Sequence, residues 1–364
     1  MLSSVSNDGV FSGIAYKGSV VLKHCYSLLE RVWGAMNFIK YSLALFMGLS
    51  LLACDIPAGI GGDTVEDRVN AARDRTNAPA IWVVRDHDSE LYLFGTLHIL
   101  PHNLDWFHPD IREVFDRSGT IFFEVPSDET ARIEATVLTQ SLGFFKNGLR
   151  LSDGFDNYQI KLLQAAALSS DVPYGRLQNL KPWLAAELLT LAAVDQAGLT
   201  ADLSADEALK SRARRLQKHT RYLETVEGQI RLSADQAKDV QEVLLMDVLE
   251  GYNNLGPNMD RAARQWSVGD VDKLKTEIIE RSKSRSPDFY QALFTDRNRL
   301  WADKLIKFLD GSGTGFVAVG IGHMLGEESL NNHLEEAGYS VERYYGFQGE
   351  PVINIIELDG EDKD

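Results

Sequence analysis

ELYLFGTLHILPHNLDWFHPDIREVFDRSGTIFFEV, running from Glu90 to Val125, is the stretch whose reading decides the fold. Leu91, Leu93 and Phe94 form an apolar strand pattern. Gly95 and Thr96 let the chain turn, and His98 stands at the strand's C-terminal end. Pro109 fits the first turn of a helix predicted to run to Arg117, and Ser118-Gly119 ends it. Thr120 to Val125 is a short β-branched and aromatic run, as expected of a buried strand. Glu124 is the anomaly in that run. A carboxylate beside Phe122, Phe123 and Val125 is costly to bury unless a cation or hydrogen-bond donors meet it.

A second histidine has the same setting far downstream. GFVAVG, 315–320, reads as another apolar strand, and Ile321-Gly322-His323 follows it. Both places therefore spell Gly-x-x-His, Gly95 to His98 and Gly320 to His323, with Gly95, Gly320 and Gly322 serving the turns. Ligands of open α/β sheets bind outside the carboxyl ends of the strands. His98, His323 and Glu124 brought to that edge would make a transition-metal site with room for water. Spacing by itself is weak support, because Gly-x-x-His is far less specific than a helical His-Glu-x-x-His and a histidine after a strand is usually a packing or loop residue.

A helix is expected over 287–309, with Tyr290, Phe294, Trp301, Leu305 and Phe308 on one face. Arg297 falls on the same face, where an apolar residue belongs, and a guanidinium there needs an anion. Two readings stand side by side: Arg297 points at the site and binds a substrate carboxylate or oxyanion, or it forms a structural ion pair with Glu124 or Glu224. Asn298 beside it reads as a substrate contact or as a residue that positions backbone.

These motifs resemble the TraB/PrgY/GumN family, to which the TIKI proteases belong. The resemblance rests on GTLH, the P-x-x-x-x-x-F-x-P-x-I that follows, FFEV, Lys181-Pro182-Trp183, Leu223-Glu224-Thr225 with Gln229, Asp296-Arg297-Asn298, and VAVGIGHMLGEESLNNHLEEAGYSVERY. They occur in the family's order between Ala80 and Tyr345. The resemblance implies an EreA/ChaN-like α/β fold: a central mixed sheet, βαβ units at both ends of the chain and a large helical middle section. For the TIKI branch it also implies divalent-metal-dependent peptidase activity, with a leaning to manganese or cobalt and with zinc compatible. Other members are associated with a peptide pheromone or are unassigned.

The chain has 364 residues, 44% of them hydrophobic, and a formal charge of −16. That length permits a sizeable core in one large domain or two. The acidic balance argues against a nucleic-acid partner, which calls for a basic face. Tyr41 to Ala53, YSLALFMGLSLLA, is an apolar run of signal-peptide length, too short to span a membrane as an ordinary helix. Leu51-Leu52-Ala53-Cys54 resembles a bacterial lipobox, with Cys54 the lipidated residue, and a compact signal of this kind could begin at Met36. Residues 1–53 are thus read as a signal peptide, 54–78 as a lipid-anchored tether, 79–358 as the folded domain and 359–364 as an acidic tail. The expected location is the bacterial cell envelope, facing the periplasm.

Between 128 and 309 the pattern is mainly helical. Helices are expected over 128–140, 156–168, 181–197, 200–219, 233–250 and 270–281, with Ser233 capping the fifth. The segment SADEALKSRARRLQKH reads as mostly solvated. Glu224 reads as a solvated helix residue and Trp183 as a packing anchor. His87 belongs to a turn, His102 and His108 to a loop, and His219 and His333 to helices. Pro351 to Leu358 reads as a last strand.

Two functions follow as expectations. One is a lipid-anchored metallohydrolase acting on peptides, in which His98 and His323 hold the metal, Glu124 is a third ligand or the general base, and Arg297 stabilises developing charge. The other is a protein that captures a peptide or metal in the same cleft without turnover.

Overall fold

The computed structural model describes residues 78–201 and 204–346. The signal-like segment, Cys54, the tether, the strand expected at 351–358 and the acidic tail lie outside the described residues. Eight strands are present among the described residues: β1 Ile81–Arg85, β2 Ser89–Thr96, β3 Leu100–Pro101, β4 Thr120–Phe123, β5 Leu199–Thr200, β6 His219–Tyr222, β7 Gly313–Gly320 and β8 Ser340–Arg343. Six of them form one mixed sheet in the order β6-β4-β7-β2-β1-β8. β6, β4, β7 and β2 run parallel, while β1 pairs antiparallel with both β2 and β8. β3 and β5 form a separate antiparallel pair. The protein is α/β, as the opening stretch predicts.

The sheet's centre is its most apolar part. Leu91, Leu93 and Phe94 of β2 and Phe316, Val317 and Ala318 of β7 are fully buried. Strands covered on both faces read as continuous apolar runs, which is how both appear in the sequence. Helix α1, Pro109–Arg117, crosses from β2 to β4 and buries Ile111, Val114 and Phe115. Phe115 packs edge-on against Phe316 with ring centroids 5.1 Å apart.

The middle of the chain supplies α2 (Glu129–Leu142), α3 (Asn157–Ser169), α4 (Tyr174–Leu177), α5 (Pro182–Gln196), α6 (Ala205–Arg215), α7 (Val226–Ala234), α8 (Lys238–Gly251) and α9 (Leu255–Ser267). The helical stretches 271–285 (α10) and 287–309 (α11) follow, and Leu330–Glu336 (α12) precedes β8. Asp128 and Asp156 cap α2 and α3, Asp156 in a full capping box. Trp183 is buried as a packing residue. No described helix is long and apolar enough to cross a membrane.

Two expectations are corrected here. The helix expected over 200–219 is interrupted: α6 ends at Arg215, and His219 begins β6 at the sheet's edge. An edge strand exposed along most of its length needs neither alternation nor apolar side chains, so its polar sequence resembled a helix surface. Ser233 is no cap. It lies inside α7, which is capped by Thr225, while α8 begins after Ala237.

Asp247 of α8 accepts from Arg285 of α10 at 2.7 Å. Burial pushes the Asp247 carboxyl up from 3.8 to about 6, and Arg285 offsets this only in part. The folded protein therefore holds that proton more tightly than the unfolded chain. The stabilisation is complete below about pH 4 and is lost as pH rises through 6. Asp247→Asn is expected to flatten the fall in melting temperature between pH 4 and 6.5 relative to the parent. Identical slopes in the two proteins would show that Asp247 does not titrate this way.

Candidate active site

The carboxyl ends of the parallel strands converge on one polar cluster. His98 follows β2, Glu124 follows β4, Glu224 follows β6, and His323 sits in the 3₁₀ turn Ile321–Met324 after β7. Helix α11 contributes Arg297 and Asn298, both buried. The backbone fixes the approach of these loops. Trp266 Nε1 donates to Gly95 O at 2.7 Å, and Gly95 leaves no room for a side chain, since a Cβ there would meet Ile321 Cδ1 at 2.3 Å and Ile321 Cα at 2.8 Å. A Cβ on Gly322 would meet the Phe294 ring at 2.6 Å. Gly95→Ala is therefore expected to cost about 1–3 kcal/mol by overpacking. A melting temperature unchanged from the parent would contradict that reading.

Glu124 is 6% exposed and its acceptors are well supplied. Oε1 accepts from the Gly320 backbone N–H at 2.8 Å; Oε2 accepts from Gln229 Nε2 and Arg297 Nη2, each at 3.0 Å. Burial pushes this carboxyl up, but the Arg297 guanidinium foremost outweighs it and holds Glu124 below the usual carboxylate range. Glu224 shares the same donors. Its Oε1 accepts from Arg297 Nη2 at 2.6 Å and Gln229 Nε2 at 3.1 Å, and its Oε2 accepts from Arg297 Nε at 3.0 Å. Here burial wins over Arg297, and the carboxyl is raised.

Arg297 thus forms the ion pair the sequence allowed, with both glutamates rather than one. Its Nη1 donates to Leu293 O at 3.0 Å and lies 3.0 Å from His323 Nε2. Each of the five guanidinium N–H donors has a partner. The helix widens to a π-turn at Gln291–Thr295, and the Asp296 N–H bonds Gln291 O. Such turns are frequent at functional sites. The Arg297 guanidinium also stacks 4.5 Å from the Trp301 ring centroid.

His323 is fully buried between Trp301 and Phe294, with ring centroids 4.3 and 5.2 Å away. Its Nδ1 lies 2.6 Å from Asn298 Oδ1, and Asn298 Nδ2 donates to Glu328 O at 2.6 Å. The second bond fixes the amide, so His323 carries its proton on Nδ1 and presents a lone pair at Nε2. Burial and then Arg297 hold its pKa well below 6.5, which keeps it neutral. His98 is 10% exposed at its side chain, and its Nδ1 lies 3.0 Å from Asp206 Oδ2. Burial opposes charge on His98, but Asp206 prevails and its pKa is raised.

The other described histidines lie apart from this cluster. His87 is exposed in the β1–β2 turn, His219 is exposed on β6, and His333 lies 3.4 Å from Glu336 on α12. His108 precedes α1, and His102 lines an open cleft on the outer side of α6 with Trp106 and Glu207. Asn298 holds His323 and the 328 loop.

Sequence reasoning missed Asp206, and read Glu224 as solvated although its side chain is 14% exposed. Asp206 sits in the first turn of α6 after the capping Ser204, where acidic residues are ordinary. Its burial to 5% was the missing signal.

Among the described residues, only the exposed Asp86, His87 and Asp88 place three ligand atoms within 4.8 Å of one another. His98, His323 and Glu124 stand wider than that, with Arg297 between Glu124 and His323. In chemical type they are metal ligands: each imidazole has an oxygen within 3.0 Å of Nδ1 and Glu124 is a buried carboxylate, but His323 Nε2 and Glu124 Oε2 both meet Arg297 here.

Fold and site define an α/β protein with a buried His-His-Glu cluster at the carboxyl edge of its parallel strands. The TraB/PrgY/gumN family model matches residues 80–343, and the chain belongs to that family. It is also 24% identical over 370 residues to the metalloprotease TIKI2 of Xenopus tropicalis, covering 86% of this chain and 68% of that protein. No solved structure matches the chain significantly.

Proposed function

We propose that this protein is a metal-dependent hydrolase acting on peptides. The observation that carries the reading is the pair of neutral-capable imidazoles, each held at Nδ1 and each at the end of a parallel strand, flanking a buried carboxylate. The likeness to a metalloprotease supports the same class. His98, His323 and Glu124 would hold a divalent ion, manganese, cobalt or zinc. When bound, such an ion supplies Lewis-acid activation of water and of a carbonyl oxygen.

The chain's own groups supply the rest. Glu124, held ionised, is the acceptor for a proton from water. Glu224 accepts from the same Arg297 and Gln229 donors and so keeps the guanidinium in place beside Glu124. Arg297 balances their charge and would meet a substrate oxygen by exchanging one of its present acceptors. Localisation belongs to the same proposal: a lipid anchor at Cys54 would hold the domain at a bacterial envelope, facing the periplasm.

The test is incubation of the purified protein with a peptide library and added manganese, cobalt or zinc, read by mass spectrometry. Cleavage that disappears with chelator and in His98→Ala is expected. Intact peptides that bind saturably under every metal would instead favour capture without turnover.

A further inference from the structure

We propose that Asp206 is a positioning residue: it fixes the tautomer and the direction of His98 so that Nε2 faces the cluster. The inference deepens the metal-site reading and rests on it for its effect on binding. Three observations carry it. First, His98 Nδ1 lies 3.0 Å from Asp206 Oδ2. An ionised carboxylate only accepts, so the imidazole proton belongs on Nδ1 and the lone pair on Nε2. Second, the N-terminus of α6 is bolted to the loop that carries His98, because Ala205 N donates to Leu97 O at 3.0 Å. Ser204 caps the same turn by accepting from Glu207 N at 3.1 Å, so Asp206 projects from a fixed platform. Third, Asp206 is 5% exposed. A carboxylate is rarely taken so far from water without a partner that needs it.

His323 is served in parallel by Asn298, whose amide oxygen lies 2.6 Å from its Nδ1. The two histidines are thus oriented alike but by different chemistry, a carboxylate for His98 and a neutral amide for His323. The charged partner makes His98 the more basic donor of the two. A purely structural ion pair would hold the fold without dictating which ring nitrogen carries the proton.

The experiment has a readout that needs no metal. In ¹⁵N-histidine-labelled protein, stripped of metal and held at a pH above the His98 titration, His98 is expected to show a protonated Nδ1 and an unprotonated Nε2. Asp206→Ala is expected to shift the proton toward Nε2, and Asp206→Asn, whose amide oxygen can still accept, to retain the parent tautomer. Manganese affinity, measured by titration, is expected to fall 10–100-fold in Asp206→Ala, the usual effect of losing such a partner, and by less in Asp206→Asn. If Asp206→Ala leaves the His98 tautomer unchanged, the proposal is overturned. So it is if Asp206→Ala folds and binds manganese as the parent does. A parent that binds no manganese, cobalt or zinc would defeat the metal-site reading instead, and the tautomer comparison would still decide the role of Asp206. Should Asp206→Ala fail to fold, Asp206→Asn decides by affinity: a drop at unchanged melting temperature supports positioning, and parental affinity overturns it.

Discussion

Arg297→Met should destabilise the folded protein by about 3–5 kcal/mol, the usual cost of removing one partner from a buried ion pair. Methionine fills much of the volume but donates nothing. Glu124 and Glu224 would then face each other with only Gln229 and the Gly320 N–H between them. The Leu293 carbonyl would lose the Arg297 side-chain donor as well. One of the two carboxyls would take up a proton to relieve the repulsion, so the variant should lose more stability at pH 8 than at pH 5. Arg297→Lys keeps the charge but offers three donors in place of a planar fork of five, and should recover only part of the loss. Thermal melts at the two pH values measure this. Arg297→Met melting with the parent at both would mean the cluster is not held by that guanidinium.

Glu124→Gln should lower hydrolysis by about 10²–10⁴-fold, the range for loss of a positioned general base. The amide cannot accept a proton from water at neutral pH. It must also turn its NH₂ toward the Gly320 N–H or toward Arg297 and Gln229, all of them donors. That mismatch adds about 1–3 kcal/mol of destabilisation. A steady-state assay beside a melt separates the two effects. Parental turnover in a folded Glu124→Gln protein would remove Glu124 from the chemistry.

The sheet's centre and the family's motifs were legible in the sequence because buried parallel strands leave unbroken apolar runs, and β2 and β7 each end in glycine and histidine. Arg297 was legible for a related reason: it breaks a helical apolar stripe of which Tyr290, Phe294, Trp301 and Leu305 are buried and Phe308 partly so. What could not be read was what meets that guanidinium, since Glu224 reaches it only because β6 lies beside β4. β6 itself carries the polar sequence HTRY and gave no strand signal. Asp206 was hidden by its own normality, an acidic residue in a helix's first turn. Its meaning appears only when Ala205 is seen bonded to Leu97, one residue before His98. Local patterns reported the elements, whereas partners joined across the sheet's carboxyl edge required the fold.

Metal content tests the central claim most directly. The purified parent, loaded with manganese or cobalt and freed of excess ion, should retain about one ion per chain by mass spectrometry of the metal, as a single site of this ligand type requires. The His98→Ala/His323→Ala double variant, shown to be folded by its melt, should retain none. Stoichiometric metal in that variant would contradict the account.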